Sequence, residues 1–159
     1  MTVPPRFADA VAAVMARAPA GPVGVAVSGG SDSTALLALV RAWAEAEGRS
    51  VLAVTVDHRL RPESAGEAGV VAELCARLGV GHATRVWADA PGRGNLQASA
   101  RAARQHLIGA WAREAGLAAV ALGHTLDDQA ETVLLRLARG SGVDGLAAMR
   151  AAQASGETL

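Results

Sequence analysis

The chain has 159 residues, of which 51% are hydrophobic and 19% charged, so it is long enough to bury a core as one domain and too apolar for intrinsic disorder. Its basic residues are all arginine and balance the acidic ones at a net charge of +0. This excludes a strongly basic stand-alone nucleic-acid binder, a lysine-dependent P-loop and Schiff-base chemistry. One cysteine, Cys75, excludes a disulfide framework, and no apolar run reaches the length of a membrane span. We therefore expect a cytoplasmic protein without membrane association.

Apolar residues at helical spacing alternate with short apolar runs along the whole chain. The pattern predicts, in chain order, a helix over 7–17, a strand over 23–27, a helix over 33–47, a strand over 51–56, a helix within 62–78, a strand over 82–86, a helix over 96–115, a strand over 117–122 and a helix over 126–138. A surface loop is expected at 91–94 and a short helical turn near Leu146.

Continuously apolar strands separated by single helices indicate a parallel sheet covered on both faces. The predicted fold class is therefore α/β, a doubly wound parallel sheet with helices on both faces. In such sheets ligands bind beyond the carboxyl ends of the strands. We accordingly expect the chemistry of this chain in residues 28–33, 57–61 and 123–128, which follow three of the strands.

The first of these segments reads Ser28-Gly29-Gly30-Ser31-Asp32-Ser33, after a strand and at the start of a helix. Paired glycines let a ligand approach the backbone, and the amides of a helix start attract anions, most often phosphate. The Ser28 and Ser33 hydroxyls could donate to the same oxygens. Asp32 would be repelled by phosphate unless a cation such as Mg²⁺ bridged them. The alternative is a tight turn with Asp32 or Ser31 as the N-cap.

Asp57 and His58 directly follow the second strand, with Arg59 and Arg61 close behind. A carboxylate at the end of a parallel strand could hold a ribose or a metal. An exposed loop with a cluster of charges is the alternative.

Three acidic residues stand close together at the start of the last helix: Asp127, Asp128 and Glu131. Thr125 is placed to cap this helix, and acids in its first turn suit the helix dipole. Capping explains one acid better than three, because three carboxylates this close repel one another unless a cation lies among them. That cation could be Mg²⁺ or the ammonium group of a substrate.

Arg101 and Arg104 lie three residues apart on one face of the helix predicted over 96–115. A pair of guanidinium groups could clamp a phosphate or stabilise charge that develops on it. A solvated helix face is the alternative. Arg136 and Arg139 repeat the spacing but lead into a glycine-containing loop.

Together these segments resemble a known family. Residues 28–33 match the S-G-G-x-D-S signature of the PP-loop ATP pyrophosphatases. Within that superfamily, residues 56–61 resemble the V-D-H-x-L-R segment of the tRNA(Ile)-lysidine synthases, and residues 95–104 resemble their N-x-E-x-x-A-R helix. Residues 123–146 are similar to their G-H-x-x-D-D-Q-x-E-T block. The four segments follow one another in the family's order.

The resemblance implies a reaction, its cofactors and its partners. Family members use ATP and Mg²⁺ to adenylate the C2 oxygen of the wobble cytidine in an isoleucine tRNA with a CAU anticodon. The ε-amine of free lysine then displaces AMP and gives lysidine.

The resemblance also implies roles for residues of this chain. ATP would be bound by Ser28, Gly29, Gly30, Ser31, Asp32, Ser33, Asp57 and His58. Mg²⁺ would be held by Asp32 and Asp128. Arg101 or Arg104 would neutralise charge on the α-phosphoryl group. Mg²⁺ or the attacking lysine would be positioned by His124, Asp128 and Glu131.

The chain departs from the family pattern in two respects. Gln97 stands where the family has Glu, which removes a charge. Family members also continue into domains that grip tRNA, so we expect residues 1–159 to form a single PP-loop ATP-binding catalytic domain, truncated relative to full-length members. The alternatives are a nucleotide-binding module without turnover and another PP-loop enzyme such as a tRNA thiolase. Cytidine thiolases carry C-x-x-C pairs, whereas this chain has Cys75 alone.

Overall fold

A computed structural model describes residues 2–60, 63–88 and 95–142, together with residues 149 and 152. Each predicted helix and strand has a counterpart in it, whereas the loop at 91–94 and the turn near Leu146 lie outside the described residues. The elements are, in chain order, α1 (Pro5–Met15), β1 (Val23–Ala26), α2 (Ser31–Ala46), β2 (Val51–Asp57), α3 (Ser64–Leu78), β3 (Gly81–Val86), α4 (Leu96–Glu114), β4 (Ala119–Leu122) and α5 (Leu126–Ala138).

The four strands form one parallel sheet in the order β3-β2-β1-β4. The chain moves outward from β1 to β3 and then returns to pair β4 with the free side of β1. The loops that follow β1 and β4 therefore diverge at a topological switch point, which is where open α/β sheets bind ligands. The predicted parallel sheet is confirmed, and its order brings residues 28–33 beside residues 123–125.

Buried side chains cover both faces of the sheet, as the continuously apolar strands predicted. On one face, Ala53 of β2 belongs to a cluster with Leu37 of α2 and Cys75 of α3, all 0% exposed. On the other face, its neighbour Val54 packs with a cluster that includes Trp111 of α4. Successive β2 residues thus point into two separate hydrophobic layers, and helices flank the sheet on both sides.

The largest differences from the predicted bounds occur where backbone contacts override side-chain patterns. α1 begins at Pro5, two residues early, because proline suits the first helical position. β4 begins at Ala119 and not at Leu117, because the amides of Leu117 and Ala118 donate instead to Ala112 and Pro22. The extended apolar run before β4 is therefore committed to the turn that leaves α4.

α5 is the least integrated helix, with no buried residue. Its Leu126, Leu134 and Leu137 are 84%, 65% and 52% exposed. None of the helices in the described ranges combines the length and hydropathy that crossing a bilayer would require.

Candidate active site

A cavity of about 370 Å³ opens at the carboxyl ends of β1, β2 and β4. Its apolar wall includes Val54, Ile108 and Leu122. Its polar wall comes largely from residues that the sequence predicted for the site: Ser28, Ser33, Asp57, His58, Arg104 and His124. A cavity with one apolar and one polar wall suits a nucleoside with a charged tail.

The loop after β1 is closed by its own serines. Gly29 has a φ of 88°, a conformation that favours glycine. The Ser33 hydroxyl donates to the carbonyl of Gly30 at 3.0 Å, and its oxygen accepts from the Ser28 amide at 3.1 Å. The Ser28 hydroxyl lies 3.2 Å from the same oxygen and is therefore its second donor. Ser33 is only 6% exposed, and its hydroxyl shapes the loop at the edge of the cavity that Ser33 lines.

The first turn of α2 begins beside this cavity, which Ser33 lines. The N-cap is Gly30, with extended backbone and no side-chain capping bond, so the alternative of Ser31 or Asp32 as N-cap is wrong. The first helical bond runs from Thr34 to Gly30. Amides 31–33 therefore lack a helical partner, whereas α4 and α5 are capped by Asn95 and Thr125. Free amides at a helix start, with the dipole behind them, form an anion site.

A hydrogen-bond chain beneath the sheet edge supports this loop. The buried Thr55 hydroxyl donates to the carbonyl of Val27 at 2.9 Å, just before the loop begins. It accepts from His82 Nε2, which is 2.9 Å away. The carbonyl that follows β1 is thus fixed by two side chains from β2 and β3.

The segment after β4 presses directly against the loop. A Cβ on Gly123 would lie 3.0 Å from Ser33 Cα and 3.1 Å from Ser33 N, so only glycine fits without displacing the loop. The next residue, His124, lines the cavity. Burial, followed by Arg104 and Arg101, lowers the pKa of His124, with Asp128 opposing. The imidazole is therefore held neutral and able to accept a proton.

Asp57 turns the chain after β2. It is 6% exposed, and its carboxylate accepts from the Arg59 amide at 2.8 Å. A hydrogen bond from the Ser64 side chain, and then the Arg59 amide, lowers the pKa of Asp57. Arg59 has a φ of 50°, a left-handed conformation that follows from this tight turn. Asp57 is thus an ionised residue of the cavity wall whose bonds to the protein are largely structural.

His58 stands at the rim with its edge against Trp87, at 5.8 Å between ring centroids. Its Nδ1 is buried and lacks a hydrogen-bond partner within the described ranges. Burial, and then Arg104, lowers the pKa of His58. An unsatisfied buried nitrogen in a cavity wall is an atom that a ligand could pair.

A second pocket of about 480 Å³ adjoins the first and shares His58 and Arg104 with it. Its remaining lining residues include Arg101, Arg139, Asn95 and Gln97; we call it the arginine pocket. Arg104 thus borders the nucleotide-sized cavity, whereas Arg101 lines the arginine pocket alone. Burial, and then the charge of Arg101, lowers the pKa of Arg104.

Sequence reasoning missed Arg139, which the spacing had assigned to a loop. It is the C-cap of α5 and reaches the pocket only because α5 ends near the start of α4. Two signals were available, the repeat of the Arg101–Arg104 spacing at Arg136 and Arg139 and the resemblance of residues 123–146 to the family block, and neither shows which residue faces a site.

The predicted acidic residues are not drawn together. Asp128 forms a capping box, in which its Oδ2 accepts from the Thr125 amide at 2.6 Å and the Thr125 hydroxyl at 3.0 Å. These two bonds lower the pKa of Asp128. Asp32 and Glu131 are exposed on α2 and α5 and line neither pocket. No group of three metal-ligating side chains occurs within the described residues, and the roles of these acids stay predictions.

The chain is similar in sequence to curated tRNA(Ile)-lysidine synthases. A tRNA(Ile)-lysidine synthase from Ruegeria pomeroyi is 53% identical over 128 residues, covering 80% of this chain and 30% of the relative. One from Zymomonas mobilis subsp. mobilis is 46% identical over 147 residues, covering 91% and 43%. The chain thus spans less than half the length of these curated relatives.

Among solved structures, the U34-tRNA thiolase NcsA from Methanococcus maripaludis, solved with its 4Fe–4S cluster, superposes with a TM-score of 0.71. The match covers 87% of this chain and 52% of that one at 18% identity, which shows the fold alone. The family model of the PP-loop domain matches residues 4–159. The chain therefore belongs to the PP-loop domain family, a family of ATP-binding domains.

Proposed function

We propose that this chain is the catalytic part of a tRNA(Ile)-lysidine synthase. In the first step, the C2 oxygen of the wobble cytidine attacks the α-phosphorus of ATP, and pyrophosphate leaves. In the second, the ε-amine of lysine attacks C2, the bond to the adenylated oxygen breaks, and AMP leaves. The products are lysidine, AMP and pyrophosphate.

One observation carries this proposal: the four segments that resemble lysidine synthases meet at one cavity. Ser33 comes from the first segment, His58 from the second, Arg104 from the third and His124 from the fourth, and all four line it. The near-50% identity to lysidine synthases covers the same residues.

ATP would lie across the switch point. The unbonded amides of α2 and the Gly29–Gly30 backbone are placed to hold its phosphates. The apolar wall would receive the nucleoside, and the unpaired His58 Nδ1 could accept or donate one polar contact there. Arg104, at the border of both pockets, is the arginine better placed to neutralise charge on the α-phosphoryl group.

A Mg²⁺ ion that arrives with ATP would find one or two carboxylates here and no complete cage among the described residues. Mg²⁺ needs one or two carboxylates when phosphate oxygens and waters complete its shell. Asp32, on the first turn of the helix that would hold the phosphates, can supply one carboxylate. Asp128 keeps only Oδ1 free of bonds to described residues, because Thr125 occupies Oδ2. Bound there, the ion would withdraw charge from the phosphate oxygens.

Lysine would enter from the α5 side. Asp127 and Asp128 in the first turn of α5, with Glu131 one turn on, provide negative charge for its ammonium group. The amine must lose a proton before it attacks. His124, in the cavity wall beside the phosphate loop, could hold the amine in place, and a carboxylate at the start of α5 could accept the proton.

The thiolase reading is the second candidate because the fold neighbour is a thiolase. Its chemistry is disfavoured within this chain, since the single cysteine, Cys75, is 0% exposed in the core. Burial also raises the pKa of the Cys75 thiol, which opposes formation of a reactive thiolate.

The test measures AMP formed by the purified chain with Mg²⁺, ATP, an isoleucine tRNA transcript bearing CAU, and lysine. We expect AMP release to require all four, and mass spectrometry of the digested tRNA to show lysidine. Arginine in place of lysine, and a transcript with uridine at the wobble position, serve as matched controls. Equal AMP release with either control would contradict the proposal.

A further inference from the structure

We propose that the arginine pocket binds a backbone phosphodiester of the RNA substrate, next to the nucleoside that enters the cavity. This inference rests on the proposed function and adds a residue, Arg139, to its machinery. Arg101 and Arg139 would contact the phosphate, and Arg104 would separate it from the phosphates of ATP.

The arginine pocket concentrates positive charge. Three guanidinium groups line the pocket, and the other lining residues among those that the structure describes are neutral or a histidine. None of the three forms an ion pair with an acidic residue in the parts of the chain that the structure describes. Burial, and then the nearby charge of Arg101, lowers the pKa of Arg104, so these two arginines repel each other in the pocket. Such a concentration in a chain of net charge +0 is an anion site and not a general basic surface.

The donors in the pocket also favour a phosphate. Arginine presents a planar fork that matches two phosphate oxygens, and Asn95 and Gln97 add neutral donors at its edge. Gln97 removes the one carboxylate that the family pattern would have placed here. Asn95 Oδ1 caps α4 by accepting from the Ala98 amide at 3.1 Å. The NH₂ group of the Asn95 side-chain amide is left as a donor.

The position of the pocket favours RNA over ATP as the source of the bound phosphate. In the proposed function the phosphates of ATP already have a site at the α2 amides, and Arg104 borders both pockets. Arg101 and Arg139 line only the arginine pocket. A substrate whose base enters the cavity must bring its own sugar–phosphate backbone to the rim, and backbone phosphates are what arginines position in RNA complexes.

The experiment measures binding of a labelled anticodon stem–loop RNA bearing CAU, as a function of salt concentration, and separately the affinity for ATP. Arg139→Gln should weaken RNA binding about tenfold, the effect of losing one charge-assisted contact, and reduce the salt slope by about one. Its ATP affinity should not change. Arg139→Lys should recover the slope but only part of the affinity, because a point charge replaces the fork.

Two further variants sharpen the test. Arg113→Gln removes an exposed arginine at the other end of α4 and should leave RNA binding as in the unmodified chain. Gln97→Glu adds a carboxylate to the pocket without shortening any side chain, and should weaken RNA binding while ATP affinity is retained.

The inference is overturned if Arg139→Gln binds RNA as Arg113→Gln does. It is also overturned if the loss appears in ATP affinity, since the pocket would then serve the nucleotide. Failure of the proposed function would look different: RNA binding would depend on Arg139, but AMP release would not require lysine.

Discussion

At the scale of single residues, the site depends on glycines, because a residue without a side chain permits a positive φ or a close backbone contact. Gly29 supplies a left-handed φ, and Gly123 lets the segment after β4 lie against the backbone of Ser33. The first could be predicted from a glycine pair between strand and helix. The second could not, because it depends on β4 pairing beside β1, a tertiary contact between residues ninety positions apart in the chain (123 against 33).

The role of Ser33 shows a similar limit. Its place in the signature predicts a phosphate ligand, which stays a prediction, and in the folded chain its hydroxyl donates to Gly30 and accepts from Ser28. Sequence identifies the residue type that the loop needs. Which partner its single proton reaches is decided by the folded backbone.

Gly123→Ala is predicted to weaken ATP binding about tenfold, because the added methyl group must push Ser33 and the amides beside it out of place. Isothermal titration calorimetry with ATP measures the change in ATP affinity. Gly69→Ala is the matched control: it lies in α3 with nothing within 4 Å of the new Cβ. The control should retain ATP affinity and gain up to about 1 kcal/mol of stability from helix propensity. Equal ATP affinity in the two variants would show that the contact between Gly123 and Ser33 does not shape the site.

At the scale of elements, periodicity located each helix and strand of the described residues, because burial on two faces of a sheet leaves a clear apolar pattern. Ala53 and Val54 illustrate this, since consecutive residues enter opposite layers and both must be apolar. Element starts were less predictable. α2 begins at Ser31 with a glycine N-cap, two residues before the predicted bound, and no capping side chain marks it.

α5 is the exception among the described helices, because the structure buries none of its residues. Its leucines remain exposed, whereas Leu37 of α2 is 0% exposed. An apolar pattern indicates that a helix has an apolar face, but it does not indicate whether other residues of the chain pack against that face.

The free energy of unfolding should separate these two helices. Leu37→Ala is predicted to cost about 2–5 kcal/mol through lost burial and a residual cavity. Leu134→Ala, at a position that is 65% exposed, should cost less than about 0.5 kcal/mol. Denaturant titration of both variants measures the difference. A loss at Leu134 comparable with that at Leu37 would mean that α5 is packed in solution.

At the scale of the whole molecule, a neutral chain separates its charges across one cleft. The arginine pocket lies on the side of α4, and the acidic start of α5 lies beyond His124, whose pKa responds to both. The switch-point rule predicted from sequence that the segments after β1, β2 and β4 would meet. It could not predict Arg139, because only the tertiary position of α5 places that residue in one pocket with the start of α4.

We propose that the loop after β1 binds ATP and that the start of α5 takes part in lysine-dependent AMP release. The most direct measurement compares Asp128→Ala with Thr125→Ala for ATP affinity and for lysine-dependent AMP release. Both variants break the same capping box and should lose about 1 kcal/mol of stability, but only the first removes a carboxylate. We predict that both bind ATP normally and that Asp128→Ala alone loses AMP release by at least about a hundredfold. Equal turnover in the two variants would contradict the account, because Asp128 would then be no more than a helix cap.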